Sequence, residues 1–412
     1  MTIEESNPSE RLFADLCNRQ YLKGFVFHSP KYNDPTEKEA GDVVLWVRNM
    51  MVVFEVVWRN PTSNINTKQF IKRIGEKRDQ LKAGFSAYSL KGEKITLVNE
   101  EGKTIKYQKE CFQSGNYVGV VIVDCDSHLD KVHYETYKKS LNLPFSNAII
   151  TKQDFLDLIV EIDTVSDLVF YLKDRFEFVK SIYSECPGIF LDLNNKSERN
   201  LIGLYKMGEN SFSEAHCNEL LKSNSWDIYR SKFCEKIKAR DSENSQTKII
   251  DHLIDLLLHN HANEESTLLH AWELGIRTRR ERVGFLADKI SDAIDRMNNG
   301  NQQRQFAFYS QVTECWSLFY FQYGENPGKL KDNLVNLSQL KLFKEMKESS
   351  FNYSIFGYGF RKSSIDTGNT IDEINLWIED AESYGEVPDE KYEEAQKYFG
   401  KPNPMKIREF PQ

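Results

Sequence analysis

Between Gly41 and Trp58 the chain holds two almost uninterrupted apolar runs, Val43–Val47 and Met51–Trp58, separated by Arg48-Asn49-Met50. Valine dominates both, and β-branched or aromatic residues without polar alternation suit strands covered on both faces. The pattern predicts a buried antiparallel hairpin. Two acids stand out against it: Asp42, which opens the first strand, and Glu55, inside the second. Hairpin geometry can bring these carboxylates together at one end of the sheet, where their hard oxygens suit Mg²⁺ or Mn²⁺. Such an ion activates water and stabilises charge on a phosphodiester undergoing cleavage.

The flanking sequence fits this hairpin into an α/β domain. Leu12, Phe13, Leu16 and Tyr21 fall near helical spacing behind Ser9, a suitable N-cap, and predict a helix over 9–21. Phe25–His28 reads as a short strand and the polar, Pro-containing stretch Ser29–Ala40 as a loop. Phe70, Ile74, Leu81 and Phe85 among many charges predict an amphipathic helix over Thr67–Ser89. Lys94–Val98 and Thr104–Tyr107 flank a glycine-containing turn, and strands follow at Tyr117–Asp124 and Ala148–Thr151.

Beyond Lys152 the spacing turns helical. Leu269, Trp272, Ile276, Val283, Leu286, Ile290, Ile294 and Met297 predict one long helix, bent at Gly275 or Gly284, and Tyr309, Val312, Trp316, Phe319 and Tyr323 a comparable stripe. The expected organisation is an α/β domain over 1–151, a mainly α-helical domain over 152–349 and a C-terminal extension over 350–412 packed on the helical domain. No internal repeat is visible.

A hydrophobic fraction of 40%, with 26 Phe and 19 Tyr, supports globular folding throughout. No window is apolar enough for a membrane span and the first seven residues are polar and acidic, so a cytoplasmic protein without a membrane partner is expected. The seven cysteines are scattered without a C-x-x-C pair, which predicts buried, reduced thiols. A net charge of −8 excludes a broad electrostatic grip on nucleic acid but leaves room for a local one.

The order helix, strand, Asp-bearing strand, Glu-bearing strand, helix over residues 9–151 resembles the restriction-endonuclease-like PD-(D/E)xK superfamily, whose motif is an Asp followed by Glu-x-Lys. The resemblance implies a central mixed sheet flanked by helices and a Mg²⁺- or Mn²⁺-dependent endonuclease, of a prokaryotic defence or restriction type, acting on DNA more readily than RNA. Asp42 takes the place of the first acid and Glu55 that of the second. Glu10 matches an accessory metal-binding Glu of some members, and Gln80 a supporting glutamine of others.

The position two after Glu55 is Val57, which cannot position water or stabilise transition-state charge as the motif lysine does. Arg59 shares the strand face of Glu55 by period-two alternation, and Lys77 or Lys82 could reach in from the second helix. The expected site is Glu10, Asp42 and Glu55 on the metal, with Arg59 catalytic beside the two acids and Gln80, Lys77 and Lys82 in support. Val57 keeps open a second reading, a non-catalytic nuclease-like module that binds nucleic acid or a protein partner, the latter through the helical domain.

Four other patterns carry weaker signals. Asp124-Cys125-Asp126 at a strand end resembles the nucleophile loop of haloacid-dehalogenase-like phosphatases, with Asp124 attacking and Asp126 as acid/base. His252, His259, His261 and His270 are spaced too irregularly for metal, and solvated or capping roles are expected. Arg277, Arg279, Arg280 and Arg282 spread over more than one helix face and predict a charged surface. Phe356-Gly357-Tyr358-Gly359-Phe360 resembles an RNA-stacking strand, without the basic residue that usually leads one.

Overall fold

A computed structural model of the chain describes residues 8–21, 23–34, 36–57, 67–99, 102, 104–123, 139–185, 198–212, 224–261, 265–282, 285–300, 303–324, 327–348, 354–363 and 371–400. Two compact units divide it, Met1–Ile237 and Lys238–Gln412.

In the first unit α1 (Pro8–Tyr21) precedes β1 (Val26–His28), β2 (Lys31–Asp34), β3 (Thr36–Glu39), β4 (Val43–Val47) and β5 (Met50–Val57). Then come α2 (Thr67–Lys91), β6 (Ile95–Val98), β7 (Thr104–Lys106), β8 (Tyr117–Val123), β9 (Ser146–Thr151), α3 (Lys152–Glu161), α4 (Val165–Glu185), α5 (Glu198–Met207) and α6 (Ser225–Lys232). The central sheet has the order β1-β4-β5-β8-β9. Its first three strands are antiparallel, whereas β8 and β9 run parallel to β5.

The expected hairpin is present as β4 and β5, and every residue of both is buried. Alternation along β5 divides its side chains between two helical layers. Phe54 meets Phe13 of α1 and Phe155 of α3, with ring centroids 4.8 and 5.5 Å away. On the opposite face lies α2, which can settle closely because β8 carries Gly119: a Cβ there would stand 3.1 Å from Leu81 of α2. Glu55 points into this second layer.

The stretch expected as a loop, Ser29–Ala40, instead forms β2 and β3, which join β6 and β7 in a second sheet of order β3-β2-β6-β7. Both strands are polar. Pairing with β6, where Tyr32 faces Ile95, decides their conformation, and local hydrophobic pattern does not.

The second unit contains most of α7 (Cys234–His261), then α8 (Glu265–Gly275), α9 (Arg279–Arg282) and α10 (Phe285–Asn298). After these come β10 (Gln303–Ser310), β11 (Cys315–Tyr323), α11 (Pro327–Glu348), β12 (Ser354–Lys362), β13 (Glu373–Asp380) and α12 (Asp389–Phe399). The described residues of 152–349 are mostly helical, but they also carry two strands, and the two units divide at Ile237 rather than at 151 or 349. β10 and β11 replace the predicted aromatic stripe, and the segment 350–412 is no appendage but supplies two strands of the sheet β10-β11-β12-β13. Cys315–Tyr323 is apolar at nearly every position, so a helically spaced subset can be picked from a strand buried on both faces.

The single long helix over 265–297 is also corrected, to α8, α9 and α10. Arg282 explains the break: its guanidinium donates to the carbonyls of Gly275 (2.8 Å) and Arg277 (3.2 Å), which a continuous helix would have bonded internally. Each unit joins an antiparallel hairpin through a helix to a strand parallel to the hairpin's second member, as β4-β5-α2-β8 and β10-β11-α11-β12. Among the described residues no helix is long and apolar enough to cross a membrane. Of the described cysteines, Cys17 and Cys315 are buried as expected, Cys111 is half-buried, and Cys234, at the first position of α7, is exposed.

Candidate functional site

Backbone geometry at Gly41 delivers Asp42 to the end of the sheet. Gly41 has φ 143°, a region that side-chain-bearing residues rarely adopt, and a Cβ there would lie 2.6 Å from Val53 Cγ1. The Asp42 N–H donates to the Phe54 carbonyl at 3.0 Å, and the Asp42 carbonyl accepts from the Ser29 N–H at 2.9 Å. Asp42 thus continues the β4–β5 register opposite Glu55. Its Oδ2 accepts the Val56 N–H at 2.6 Å, which fixes the carboxylate over the β5 backbone.

From the other side, α2 approaches the residues that lead into Asp42. Gly84 makes this possible, because a Cβ there would stand 3.1 Å from the Ala40 carbonyl oxygen. Seven residues earlier, on the same side of the helix, Lys77 reaches the hairpin. Its Nζ donates to Asp42 Oδ1 (3.0 Å), Asp42 Oδ2 (2.7 Å) and Glu55 Oε2 (2.9 Å). All three ammonium protons are spent on the two acids.

The side chains of Asp42, Glu55 and Lys77 are 6%, 5% and 21% exposed. Burial, and next the Asp42 charge, hold the Glu55 carboxyl well above its ordinary 4.5, with the Lys77 ammonium opposing them. Burial pulls Lys77 down, but the Asp42 and Glu55 charges outweigh it and leave the ammonium above its ordinary range. Two acids around one base leave one negative charge in excess when both are ionised. The arrangement is a cradle of oxygens for positive charge at a sheet end within reach of water.

Of the residues expected here, the fold brings Asp42, Glu55 and Lys77 together. Val57 is buried on the Glu55 side of β5. Gln80 and Lys82 are exposed on α2, and Lys82 lies roughly 140° around the helix from Lys77. Glu10 is half-buried on α1, and no group of three or more metal-ligating His, Cys, Asp or Glu side chains forms among the described residues, so Glu10 does not complete a set with Asp42 and Glu55. Arg59 lies outside the described residues, as do Asp124 and Asp126 of the phosphatase reading. The Val56 N–H and the Gly41 backbone act through geometry that the linear sequence does not display, and the choice of Lys77 over Lys82 comes from the packing of α2.

Among the remaining candidates, His270, the buried arginines and the 356–360 aromatics have structural contacts. His252 is exposed, and the side chains of His259 and His261 lie outside the described residues. His270 is buried with its ring nitrogens 2.7 Å from the Ser266 carbonyl and 3.1 Å from that of Trp377, and burial lowers its pKa. The arginine run is not the charged surface expected, since Arg277, Arg279 and Arg282 are buried. Arg277 donates to Glu273 (2.5 Å) and Ser317 (2.6 Å) and lies 4.4 Å over the Phe308 ring, and Arg282 pairs with Asp251 at 2.8 Å. Phe356, Tyr358 and Phe360 are likewise buried, Tyr358 stacking on Phe319 at 4.9 Å, so they offer no platform to RNA bases.

Compared with protein-family models, with curated proteins and with solved structures, the chain matches none.

Proposed function

We propose that the chain is a nuclease-fold protein whose first unit hydrolyses phosphodiester bonds of nucleic acid, with Asp42 and Glu55 holding a divalent cation. The observation that carries this reading is the convergence of two buried carboxylates on one cationic atom, Lys77 Nζ, at the end of the β4–β5 hairpin. One carboxylate would suffice to pair with a lysine; the second leaves negative charge that only a further cation or proton offsets. The element order α1, β4, β5, α2, β8 also supports the resemblance to the PD-(D/E)xK superfamily.

The donor set fits Mg²⁺ or Mn²⁺. Both acids offer hard oxygens, they already surround positive charge at 2.7–3.0 Å, and Mg²⁺ keeps several waters while taking only one or two carboxylates. Bound there, the ion would supply Lewis acidity and a more acidic water. Asp42, held by the Val56 N–H, keeps one orientation, so its oxygens need little rearrangement. Lys77 substitutes from α2 for the lysine that Val57 does not provide: released from one carboxylate, its ammonium stands where charge develops on the phosphate oxygens.

Full-length protein incubated with plasmid DNA, single-stranded RNA and bis(4-nitrophenyl) phosphate in Mg²⁺ and in Mn²⁺ tests the reading. Hydrolysis is expected, with losses of about 100-fold or more in Asp42→Asn, Glu55→Gln and Lys77→Met. Wild-type protein that leaves all three substrates intact in both metals would end the enzymatic proposal. A second reading is favoured by the full commitment of Lys77 to the two acids: a non-catalytic module in which the triad only closes the sheet end. On that reading wild type is inert, and Val57→Lys, which adds an ammonium on the Glu55 face, is the change that creates activity.

A further inference from the structure

The second unit repeats the topology that builds the Asp42–Glu55 site, with different chemistry at the corresponding place. In each unit a hairpin leads through a helix to a strand parallel to the hairpin's second member, and the helix closes on a glycine of that strand. Leu81 of α2 meets Gly119, where a Cβ would stand 3.1 Å away; Leu334 and Leu330 of α11 meet Gly359, at 3.2 and 3.4 Å. Gly119 pairs with Val53, two residues before Glu55, and Gly359 pairs with Tyr320, two residues before Gln322. Gln322 in turn lies opposite Gln303 at the open end of its hairpin, as Glu55 lies opposite Asp42. Both acids of the first unit are thus amides in the second.

We propose that this sheet end binds a nucleobase, adenine above others, with Gln303 and Gln322 hydrogen-bonding its edge. The inference rests on the reading of the first unit as a phosphodiester hydrolase, which supplies a polynucleotide as the ligand.

Both amides are available. Gln322 is only 6% exposed, and its one contact among the described residues is the Tyr320 hydroxyl at 3.5 Å, the outer limit of a hydrogen bond. Whichever way the amide is turned, its other end has no partner there, which is costly for a buried polar group. Gln303 is exposed and also has no partner among the described residues. Cross-strand neighbours have Cβ atoms roughly 5 Å apart, yet these two amides do not bond each other. Both face α11, because Ala307, Leu318 and Tyr320, on the same side of the sheet by alternation, pack against Leu330 and Leu334.

Charge decides the kind of ligand. Glutamines carry none, so they cannot hold a divalent cation as two carboxylates can. The neighbouring base is already spent: Arg361, beside Gln322 on β12, donates to Glu373 (2.6 Å) and to the Gly324 carbonyl (2.9 Å). What is left is neutral donors and acceptors, and a glutamine offers one of each in a plane, as the N6/N7 edge of adenine requires. Asn333 of α11 donates to the Tyr320 hydroxyl at 3.0 Å and so steadies the wall behind Gln322. The carboxyl ends of parallel strands, here β11 and β12, are also where open α/β sheets take their ligands.

The test is fluorescence anisotropy of full-length protein, in a metal chelator so that cleavage is absent, with labelled oligo(dA) and a labelled abasic strand of equal length. Wild type is expected to bind oligo(dA) about 10-fold more tightly than the abasic strand, the discrimination of one bidentate amide–base pair. Gln303→Leu/Gln322→Leu should abolish that gap while leaving the abasic strand's affinity and salt dependence unchanged, since phosphate contacts carry those. Gln303→Leu alone, at an exposed position, should narrow the gap severalfold, whereas Asn336→Leu, which removes an exposed amide elsewhere on α11, should not. Circular dichroism of each variant confirms folding. Equal binding of the two strands by wild type, no binding of either, a gap that survives the substitutions, an equal loss in Asn336→Leu, or competition by a neutral peptide as effective as by adenosine would each overturn the proposal. Hydrolysis of bis(4-nitrophenyl) phosphate, which has no nucleobase, judges the first unit separately: it can fail while the base-dependent gap stands, and the reverse.

Discussion

Replacing Lys77 by methionine keeps most of the side-chain volume and removes the only positive charge bonded to both Asp42 and Glu55 among the described contacts. Breaking a buried ion pair from one side costs about 3–5 kcal/mol, because the surviving charge keeps its desolvation penalty without its partner. Glu55 already holds its proton more tightly than an ordinary carboxylate and would take it up in the variant, neutralising one of the two charges, so the lower end, about 3 kcal/mol, is expected. For a unit of this size that corresponds to a fall in melting temperature of roughly 6–12 °C. The same variant reports on the cradle without any assay of activity. With the ammonium gone, a divalent cation no longer competes with Lys77 for the oxygens, and Mg²⁺ at about 100 times its Kd should return roughly 2.7 kcal/mol. Thermal melts of wild type and Lys77→Met across a Mg²⁺ titration, with Na⁺ at matched ionic strength, give the comparison. A loss below about 1 kcal/mol would show that the triad is not the tight, desolvated arrangement described. A variant that Mg²⁺ stabilises no more than Na⁺ does would refute the assignment of Asp42 and Glu55 as a cation cradle.

Glu55→Gln carries a pH signature: with its pKa raised by burial and by Asp42, Glu55 contributes stability that is complete below pH 4.5 and is lost as pH rises through its raised value. Urea unfolding should therefore show the stability difference moving in favour of Glu55→Gln from pH 4.5 upward, and a flat difference would contradict the shift. Gly41→Ala forces a Cβ to within 2.6 Å of Val53 Cγ1 at φ 143° and should cost about 2–4 kcal/mol in chemical denaturation, with the proposed phosphodiester hydrolysis falling alongside as Asp42 is displaced. Arg277→Met leaves Glu273 buried without its cation and should cost about 3–5 kcal/mol, whereas Glu273→Gln/Arg277→Met should recover a good part of it.

The hairpin and its two acids were legible in the linear sequence because each depends on local information. Valine-rich runs without alternation specify strands covered on both faces, and their separation by a short turn specifies antiparallel pairing, which can bring Asp42 and Glu55 together near one strand end. Helices α1 and α2 were legible for the same reason, from their apolar spacing. Strands β2 and β3 were not, since nothing in Lys31–Glu39 favours a strand until β6 lies alongside. Nor were β10 and β11, whose continuous apolar composition contains a helical subset as readily as a strand pattern. The burial of Arg277 and Arg282 also escaped, because a charged residue reads as exposed until Glu273, Asp251 and the free carbonyls at the end of α8 are brought to it.

Which base completes the site was settled only in three dimensions. Lys77 and Lys82 are equal candidates along the chain, and one turn of helix separates them. The choice follows from the packing of α2, whose Gly84 rests on the Ala40 carbonyl and whose Leu81 rests on Gly119, so that the flank bearing Lys77 overhangs the strand end while Lys82 points into solvent. The order of residues determined by itself that one carboxylate opens the first strand of a buried hairpin and another lies inside the second, and the register that sets them opposite each other came with the fold. The rotation of α2, set by two glycines in contact with distant backbone and side chains, decided the ammonium that joins them, because helix phase is fixed by packing rather than by the residues along one face.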